Sequence, residues 1–121
     1  MKMLLQPIVE NAIYHGLEPK TEGGNLYIGG RLELHDLVLT IKDDGVGIEQ
    51  EKLWEIQELI EKDYYDTSKH VGILNTQARI RLQYGQKYGL QIESVLGDGT
   101  TVTIRVPAKE DSKEREGKEN V

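Results

Sequence analysis

The pattern of apolar and polar positions predicts two β-hairpins and three helices. In the first hairpin, residues 25–33 and 36–42 are the strands, and they are joined at His35-Asp36. The second of these strands shows the two-residue period of a half-buried strand at Leu37, Leu39 and Ile41. The first strand contains Gly29-Gly30, which predicts either a bulge or the close approach of another group.

The second hairpin carries a stronger turn signal. Its predicted strands are 90–96 and 101–106, and Gly97-Asp-Gly-Thr100 lies between them. Pro107 closes the last strand, because proline has no N–H to donate to a neighbouring strand. The remaining stretch, 108–121, carries nine charges in fourteen positions. It predicts a disordered tail that follows a single domain.

Three segments show the spacing of amphipathic helices. The first segment runs from Met3 to Gly16. Within it, we expect the helix itself to begin near Pro7, because proline is tolerated in a first turn. The second covers 49–62, with apolar residues at Leu53, Ile56 and Ile60. The third covers 72–85, with apolar residues at Leu74, Ala78 and Leu82. These elements predict a two-layer α/β sandwich, whose mixed, mainly antiparallel sheet is covered on one face by helices.

Composition and charge narrow the class of protein. A chain of 121 residues with 37% apolar residues suits one domain with a single core. It has no cysteine, which excludes disulfides and thiolate metal sites. It also lacks a long apolar run and a signal peptide, so we expect a cytoplasmic domain without direct membrane contact, whose longer parent can be anchored in the cell membrane. The net charge of −6 argues against nucleic acid as a partner.

Three polar residues of the first helix, Glu10, Asn11 and His15, share one face, because His15 follows Asn11 by four positions. An amide oxygen beside a carboxylate suits a hard cation such as Mg²⁺, which prefers oxygen ligands and keeps several waters. The alternative is that these residues are ordinary polar surface positions. The motif by itself does not decide between a metal site and a solvated helix face.

A second motif, Asp43-Asp-Gly-Val-Gly-Ile48, follows the strand 36–42. Its glycines allow a tight turn and the close approach of a ligand, and an aspartate there can accept hydrogen bonds from an aminopurine edge. An ordinary strand-to-helix turn accounts for the same residues equally well. A calcium loop is excluded, because Thr40 and Lys42 would occupy positions that need acids.

Glycines also stand at the start of the third helix and in the second hairpin turn. Gly72 leaves backbone N–H groups free at the positive end of the helix dipole, which favours an anion. For Gly97-Asp-Gly-Thr100, a plain hairpin turn is the better interpretation when the motif is considered alone. The chain has no P-loop motif, which excludes a P-loop protein, and no G-x-G-x-x-G before a helix, which argues against a dinucleotide fold.

In this order and spacing, the motifs resemble the ATP-binding domain of the superfamily of sensor histidine kinases, type II topoisomerases and related chaperones. The segment Leu5-Gln-Pro-Ile-Val-Glu-Asn-Ala-Ile-Tyr-His-Gly16 resembles the N box of one histidine kinase subgroup. The later motifs are matched by Asp43-Asp-Gly-Val-Gly-Ile48, Gly72-Ile-Leu-Asn75, Arg79 and Tyr84-Gly85. Together they cover most of the chain before its tail, and the combination is far more specific than any single motif.

The resemblance implies a role for each matched residue. Asn11 would coordinate Mg²⁺ and bridge it to the ATP phosphates, and Glu10 would orient a water or take the acceptor's proton. Asp43 would receive the adenine amino group, and Thr100 would help to hold adenine through a water. Residues 49–71 would form a lid over the nucleotide. Gly72 and the backbone that follows it would hold phosphate. The other expected pocket residues are His15, Gly45, Gly47, Ile48, Ile73 and Leu74.

Three positions depart from the family pattern. Pro7 stands where hydrolytic relatives carry a glutamate that activates water, which argues against an efficient ATPase of the topoisomerase kind. Tyr14 stands where kinases of this subgroup often carry a basic residue, and His70 stands where the lid is expected to have a glycine. These last two substitutions predict a weaker phosphate contact and weaker lid closure.

The resemblance implies a kinase that binds Mg·ATP and passes the γ-phosphoryl group to a histidine on a separate dimerisation domain, and from there to an aspartate of a response regulator. The chain's own histidines, His15, His35 and His70, are expected in the pocket, a hairpin turn and the lid, and are poor acceptors. The family's upstream strand and helix are absent, so we expect an N-terminally truncated fragment with an exposed sheet edge. The alternatives are a serine/threonine kinase of the anti-sigma type and a degenerate sensor or scaffold.

Overall fold

The computed structural model describes residues 2–13, 24–62 and 71–108 of the chain. Its elements, in chain order, are α1 (Lys2–Asn11), β1 (Leu26–Glu33), β2 (Asp36–Asp43), α2 (Gln50–Glu61), α3 (Val71–Tyr84), β3 (Gly89–Val95) and β4 (Gly99–Pro107). Both predicted hairpins and all three predicted helices are present. The predicted tail beyond Ala108 and the second half of the predicted lid, 63–70, lie outside the described residues.

The four strands form one sheet in the order β1-β2-β4-β3, and every strand pair among the described residues is antiparallel. The two hairpins join through the central strands β2 and β4, where Asp43 lies opposite Thr100. This register brings the loop after β2 and the turn before β4 to the same end of the sheet. The two-layer α/β prediction is confirmed, and the sheet places two of the predicted motifs side by side.

The helices cover one face of the sheet, and the core lies between these two layers. Residues that lie opposite each other on neighbouring strands share a face, so Ile41, Val102 and Ile92 form one apolar row. The buried apolar residues contributed by helical segments are Ile8, Ala12, Leu53, Ile56, Ile60, Ile73, Leu74 and Ile80. The apolar face predicted for α2 is therefore confirmed. Within the described ranges, no helix is both long and apolar enough to cross a membrane.

Helix α1 begins earlier than the sequence predicted. It starts at Lys2, so Pro7 lies inside the helix and not in its first turn. Proline in this place removes one N–H donor from the helix. The helix forms nevertheless, because it packs against α3 and tertiary packing supplies most of the stability of a helix in a protein. A wider, π-type turn follows at Ala12 and Ile13.

Two further details differ from the expected pattern. Strand β1 pairs with β2 without interruption at Gly29, so there is no bulge there. The alternative of a close approach is correct, because a Cβ on Gly29 would lie 2.7 Å from the Tyr27 hydroxyl oxygen. In α3, Leu82 is 90% exposed whereas Ile80 is fully buried. Residues spaced four apart drift around a helix that repeats every 3.6 residues, so the predicted stripe leaves the core.

Two glutamine side chains form hydrogen bonds with the outer edge of β3. The Gln77 Oε1 accepts the backbone N–H of Leu90 at 2.8 Å, and the Gln57 Nε2 donates to the carbonyl of Ile92 at 2.8 Å. Gln77 is buried, and its Nε2 also donates to the carbonyl of Ile60 at 3.4 Å. Two of the backbone groups that this edge strand would otherwise leave unpaired are therefore satisfied by side chains of α2 and α3.

Candidate functional site

Asp43 is the last residue of β2 and lies at the base of the loop that follows. Its side chain is 3% exposed, and its Oδ1 accepts the backbone N–H of Gly45 at 2.8 Å. Thr100 lies directly opposite on β4 and is also buried. A buried carboxylate needs hydrogen-bond donors, because leaving it unpaired in apolar surroundings is costly. The Asp43 end of the β2–β4 pair therefore carries a strong hydrogen-bond acceptor beside the backbone N–H of Gly45.

Two glycines are required by the close packing of this loop against the second hairpin. Gly47 has a φ of +75°, and a Cβ on it would overlap the carbonyl oxygen of Val95. Gly99 has a φ of +123°, and a Cβ on it would overlap the carbonyl oxygen of Asp43. A backbone hydrogen bond of 2.7 Å also joins the two turns. The loop after β2 and the hairpin turn before β4 are therefore one structural unit.

Ser94 on β3 connects the loop to the hairpin, although no sequence motif pointed to it. Its Oγ accepts the backbone N–H of Ile48 at 2.8 Å and donates to the carbonyl of Gly99 at 2.8 Å. The same oxygen lies 2.8 Å from the Thr100 hydroxyl. Since a serine hydroxyl has one proton and Gly99 receives it, the Thr100 hydroxyl must donate to Ser94. Thr100 therefore keeps lone pairs that can accept a further hydrogen bond. The only sequence signal for Ser94 was the predicted hairpin, whose register puts it opposite Thr100.

The two adjacent acids of the motif have different partners. The Asp44 Oδ1 accepts the backbone N–H of Asn25 at 2.6 Å, and its Oδ2 accepts the side-chain amide of Asn25 at 3.1 Å. These hydrogen bonds of Asp44 therefore connect the loop after β2 to the residue that precedes β1. Asp43 instead bonds within the loop and lies opposite Thr100. This division supports the expectation that Asp43 is the ligand-binding acid of the pair.

Helices α1 and α3 approach closely at Gly72. A Cβ on Gly72 would lie 3.2 Å from the carbonyl oxygen of Pro7, so a larger residue would push the helices apart. The first turn of α3 therefore lies against α1 one helical turn before Asn11, which is the last residue of that helix. Glu10 is exposed on α1, and its carboxylate accepts the Gln6 side-chain amide at 3.3 Å.

The remaining predicted site residues fall into different environments. Ile73 and Leu74 are buried, and their side chains belong to the core. His15 and the side chain of Asn11 lie outside the described part of the chain. The first half of the predicted lid is α2, whose apolar face is packed into the core. Within 2–13, 24–62 and 71–108, no group of three His, Cys, Asp or Glu residues is placed to hold a metal ion.

Comparison with known proteins matches residues 1–110 to the family model described as histidine kinase-, DNA gyrase B-, and HSP90-like ATPase. The sensor protein kinase HptS of Staphylococcus aureus (strain USA300) is 33% identical over 106 residues. That match covers 88% of this chain and 20% of HptS, so the chain spans about a fifth of the length of this relative.

Two solved structures share the fold. The histidine kinase domain of the blue-light activated histidine kinase from Erythrobacter litoralis EL346 superposes with a TM-score of 0.63 at 20% identity, over 88% of this chain and 42% of that one. A second structure of the same kinase superposes with a TM-score of 0.62 at 19% identity, over 91% of this chain and 30% of that one. At these identities the likeness shows a common fold.

Proposed function

Because the chain belongs to the histidine kinase-, DNA gyrase B- and HSP90-like ATPase family, we propose that it is the ATP-binding catalytic domain of a sensor histidine kinase. It binds Mg·ATP and transfers the γ-phosphoryl group to a histidine on a separate dimerisation domain. An aspartate of a response regulator then receives the phosphoryl group. The observation that carries the proposal is the buried Asp43 carboxylate, which lies opposite Thr100 beneath a loop built on close-packed glycines.

The adenine end of the proposed site is formed by Asp43 and Thr100. The carboxylate of Asp43 accepts the exocyclic amino group, since an ionised carboxylate acts only as an acceptor and its two oxygens can accept several hydrogen bonds at once. The lone pairs of the Thr100 hydroxyl accept a hydrogen bond from a water that bridges to the base. Gly45 and Gly47 let the backbone approach the ring, and Ile48 follows them with its N–H held by Ser94.

The phosphate end of the proposed site is formed by the start of α3 and the end of α1. The first N–H groups of a helix have no partners within it and lie at the positive end of its dipole, so the backbone from Gly72 is suited to phosphate. Asn11 is the proposed Mg²⁺ ligand, and Glu10 is proposed to orient a water or to take the proton of the acceptor. When bound, Mg²⁺ neutralises charge on the phosphates. The close approach of Gly72 to Pro7 supports this pairing of the two helices.

Pro7 favours a kinase over a hydrolase. The resemblance aligns it with the glutamate that activates water in hydrolytic relatives, and a proline side chain can act neither as an acid nor as a base. ATP is then consumed only when an acceptor side chain is presented. His35, the one histidine within the described ranges, lies in the β1–β2 turn, at the other end of β2 from Asp43. With His15 expected in the pocket and His70 in the lid, we expect negligible autophosphorylation by this chain alone.

Isothermal titration calorimetry with Mg·ATP tests the nucleotide site. Asp43→Asn should weaken binding about ten- to a hundredfold, because it removes the charge from a buried hydrogen-bonding acceptor. Asp98→Asn makes the same chemical change at an exposed position of the hairpin turn and should leave affinity unchanged. Absence of Mg·ATP binding by folded wild-type protein would refute the site and would favour a scaffold that does not bind nucleotide.

Phosphotransfer is tested by mixing the chain with the dimerisation domain of a related sensor kinase and radiolabelled ATP. An acid-labile phosphoprotein is expected, because phosphohistidine is hydrolysed in acid. An acid-stable product would instead indicate a serine/threonine kinase of the anti-sigma type. Stoichiometric labelling of the chain by itself would show that the acceptor has been placed wrongly.

A further inference from the structure

A groove of about 450 Å³ lies on the face of the sheet that the helices leave open. Its floor is Val38, which is buried although it points away from the core. Val38 lies between Arg31 on β1 and Arg105 on β4, and the three residues form one cross-strand row. This row is five residues along β2 from Asp43, or about 17 Å at the rise of an antiparallel strand. The groove is therefore separate from the proposed nucleotide site.

The groove has a strongly basic lining in an acidic protein. Among the described residues that line it, four are cationic, namely Arg31, Arg81, Lys87 and Arg105, and none is an aspartate or glutamate. Two acids beside the groove, Glu33 and Asp36, offset part of this charge. The whole chain, by contrast, has 21 acidic and 15 basic residues. A concave surface that collects charge opposite to the net charge of its protein attracts ligands of the other sign.

Neighbouring groups hold these cations in position. Arg105 donates to the carboxylates of Asp36 at 2.9 Å and Glu33 at 2.7 Å, which raises the pKa of the arginine. Arg31 donates to the same Glu33, at 2.8 Å. The Lys87 ammonium lies 5.5 Å from the centre of the Tyr88 ring, and it forms no ion pair with any described residue. The cations are therefore largely ordered before any ligand arrives, which lowers the entropic cost of binding.

The spacing of the charges decides the size of the ligand. Arg31 and Arg105 stand two strands apart, so their backbones are about 10 Å from each other. The Glu33 carboxylate already bridges Arg31 and Arg105, so a ligand that reaches the other cations as well must be longer than one small anion. Carboxylates on alternate residues of an extended chain are spaced by about 7 Å. At the β3 edge, Gln57 and Gln77 already occupy two backbone groups that an added strand would pair with, so we assign the ligand to the open sheet face and not to this edge.

We propose that this groove is a docking site for an acidic segment of a partner protein, which lays two or more carboxylates across the cations of the open sheet face. The proposal does not depend on nucleotide binding. It predicts binding that is sensitive to salt, because the contacts are between solvent-exposed charges.

Fluorescence anisotropy with a short labelled peptide of alternating glutamate and glycine tests the proposal on the whole chain. Saturable binding is expected at about 50 mM NaCl and should be largely lost at about 500 mM. Lys87→Gln and Arg31→Gln should each weaken binding about two- to fivefold. Lys42→Gln is the matched control, because Lys42 is exposed on the same sheet face but does not line the groove. Asp43→Asn should bind the peptide like the wild type, which separates this test from that of the nucleotide site.

Several results would overturn the proposal. Binding that is absent in folded wild-type protein, that is equally strong for a glutamine–glycine peptide, or that weakens equally in Lys42→Gln would each show that the groove does not recognise acidic segments. Displacement of the peptide by an equal concentration of inorganic phosphate would indicate a small-anion site. Stronger binding to vesicles of anionic lipid than to the peptide would indicate a membrane surface as the ligand.

Discussion

Replacement of Ser94 by alanine would remove the group that joins the loop after β2 to the second hairpin. The wild-type hydroxyl accepts from the Ile48 N–H, donates to the Gly99 carbonyl and accepts from Thr100. In the variant, the half-buried N–H of Ile48 loses its partner, and an unsatisfied donor of this kind costs about 1–3 kcal/mol. The Gly99 carbonyl and the Thr100 hydroxyl belong to buried residues and also lose a partner, so we expect the free energy of unfolding to fall by about 2–4 kcal/mol in total.

Equilibrium urea unfolding, followed by circular dichroism, measures this loss. Ser94→Thr keeps the hydroxyl and should recover most of the stability, since threonine is also favoured in strands. Thr101→Val is the matched control, because Thr101 is next to Thr100 but points to the opposite sheet face. It should change the free energy of unfolding by less than about 0.5 kcal/mol.

The same variants probe ligand binding. If Thr100 helps to hold adenine, Ser94→Ala should weaken Mg·ATP binding while Ser94→Thr retains it, because the serine fixes the direction of the Thr100 hydroxyl. Wild-type stability of Ser94→Ala would refute the hydrogen-bond assignment. A clear loss of stability with unchanged nucleotide affinity would keep the structural role and reject the link from Ser94 to the ligand.

Two further predictions concern backbone strain and pH. Gly47→Ala should destabilise far more than Gly85→Ala in urea unfolding, because both glycines have positive φ but only the first is packed against another backbone; similar losses would contradict this. Arg105 lowers the pKa of Glu33 and of Asp36 in the folded protein. The ion pairs therefore contribute to the free energy of unfolding above the ordinary pKa values of these acids, and this contribution is lost as the pH falls through their lowered pKa values. Arg105→Gln should therefore be less stable than wild type at pH 7, and the difference should disappear in acid; a difference independent of pH would refute the ion pairs.

Local patterns in the sequence were sufficient to predict most secondary structure. The turn at Gly97-Asp-Gly-Thr100 and the stripe on α2 depend on residues that are close in the chain, and both were predicted correctly. Pro7 was interpreted wrongly because a local rule about proline ignored the packing of α1 on α3. The exposure of Leu82 was missed because a spacing of four residues was followed beyond the point where it leaves the buried face.

The chemistry of the candidate site could be predicted only in part. The sequence named Asp43, Thr100 and the glycines through the family resemblance, and the structure brings these residues together at one end of the sheet. It could not reveal Ser94, which has no motif of its own and acts only through residues on two other segments. Asn11 and His15 remain predictions, because the side chain of the first and the whole of the second lie outside the described residues.

The sequence by itself therefore determined the elements and the family, because hydrophobic spacing, turn residues and motif order are local properties of a chain. The tertiary structure decided which residues act together. Asp43 and Thr100 are 57 positions apart, and only the pairing of β2 with β4 places them opposite each other. The same pairing sets Arg105 beside Val38 and builds a basic groove that no local pattern predicts, since charge concentrates there only when three strands lie side by side.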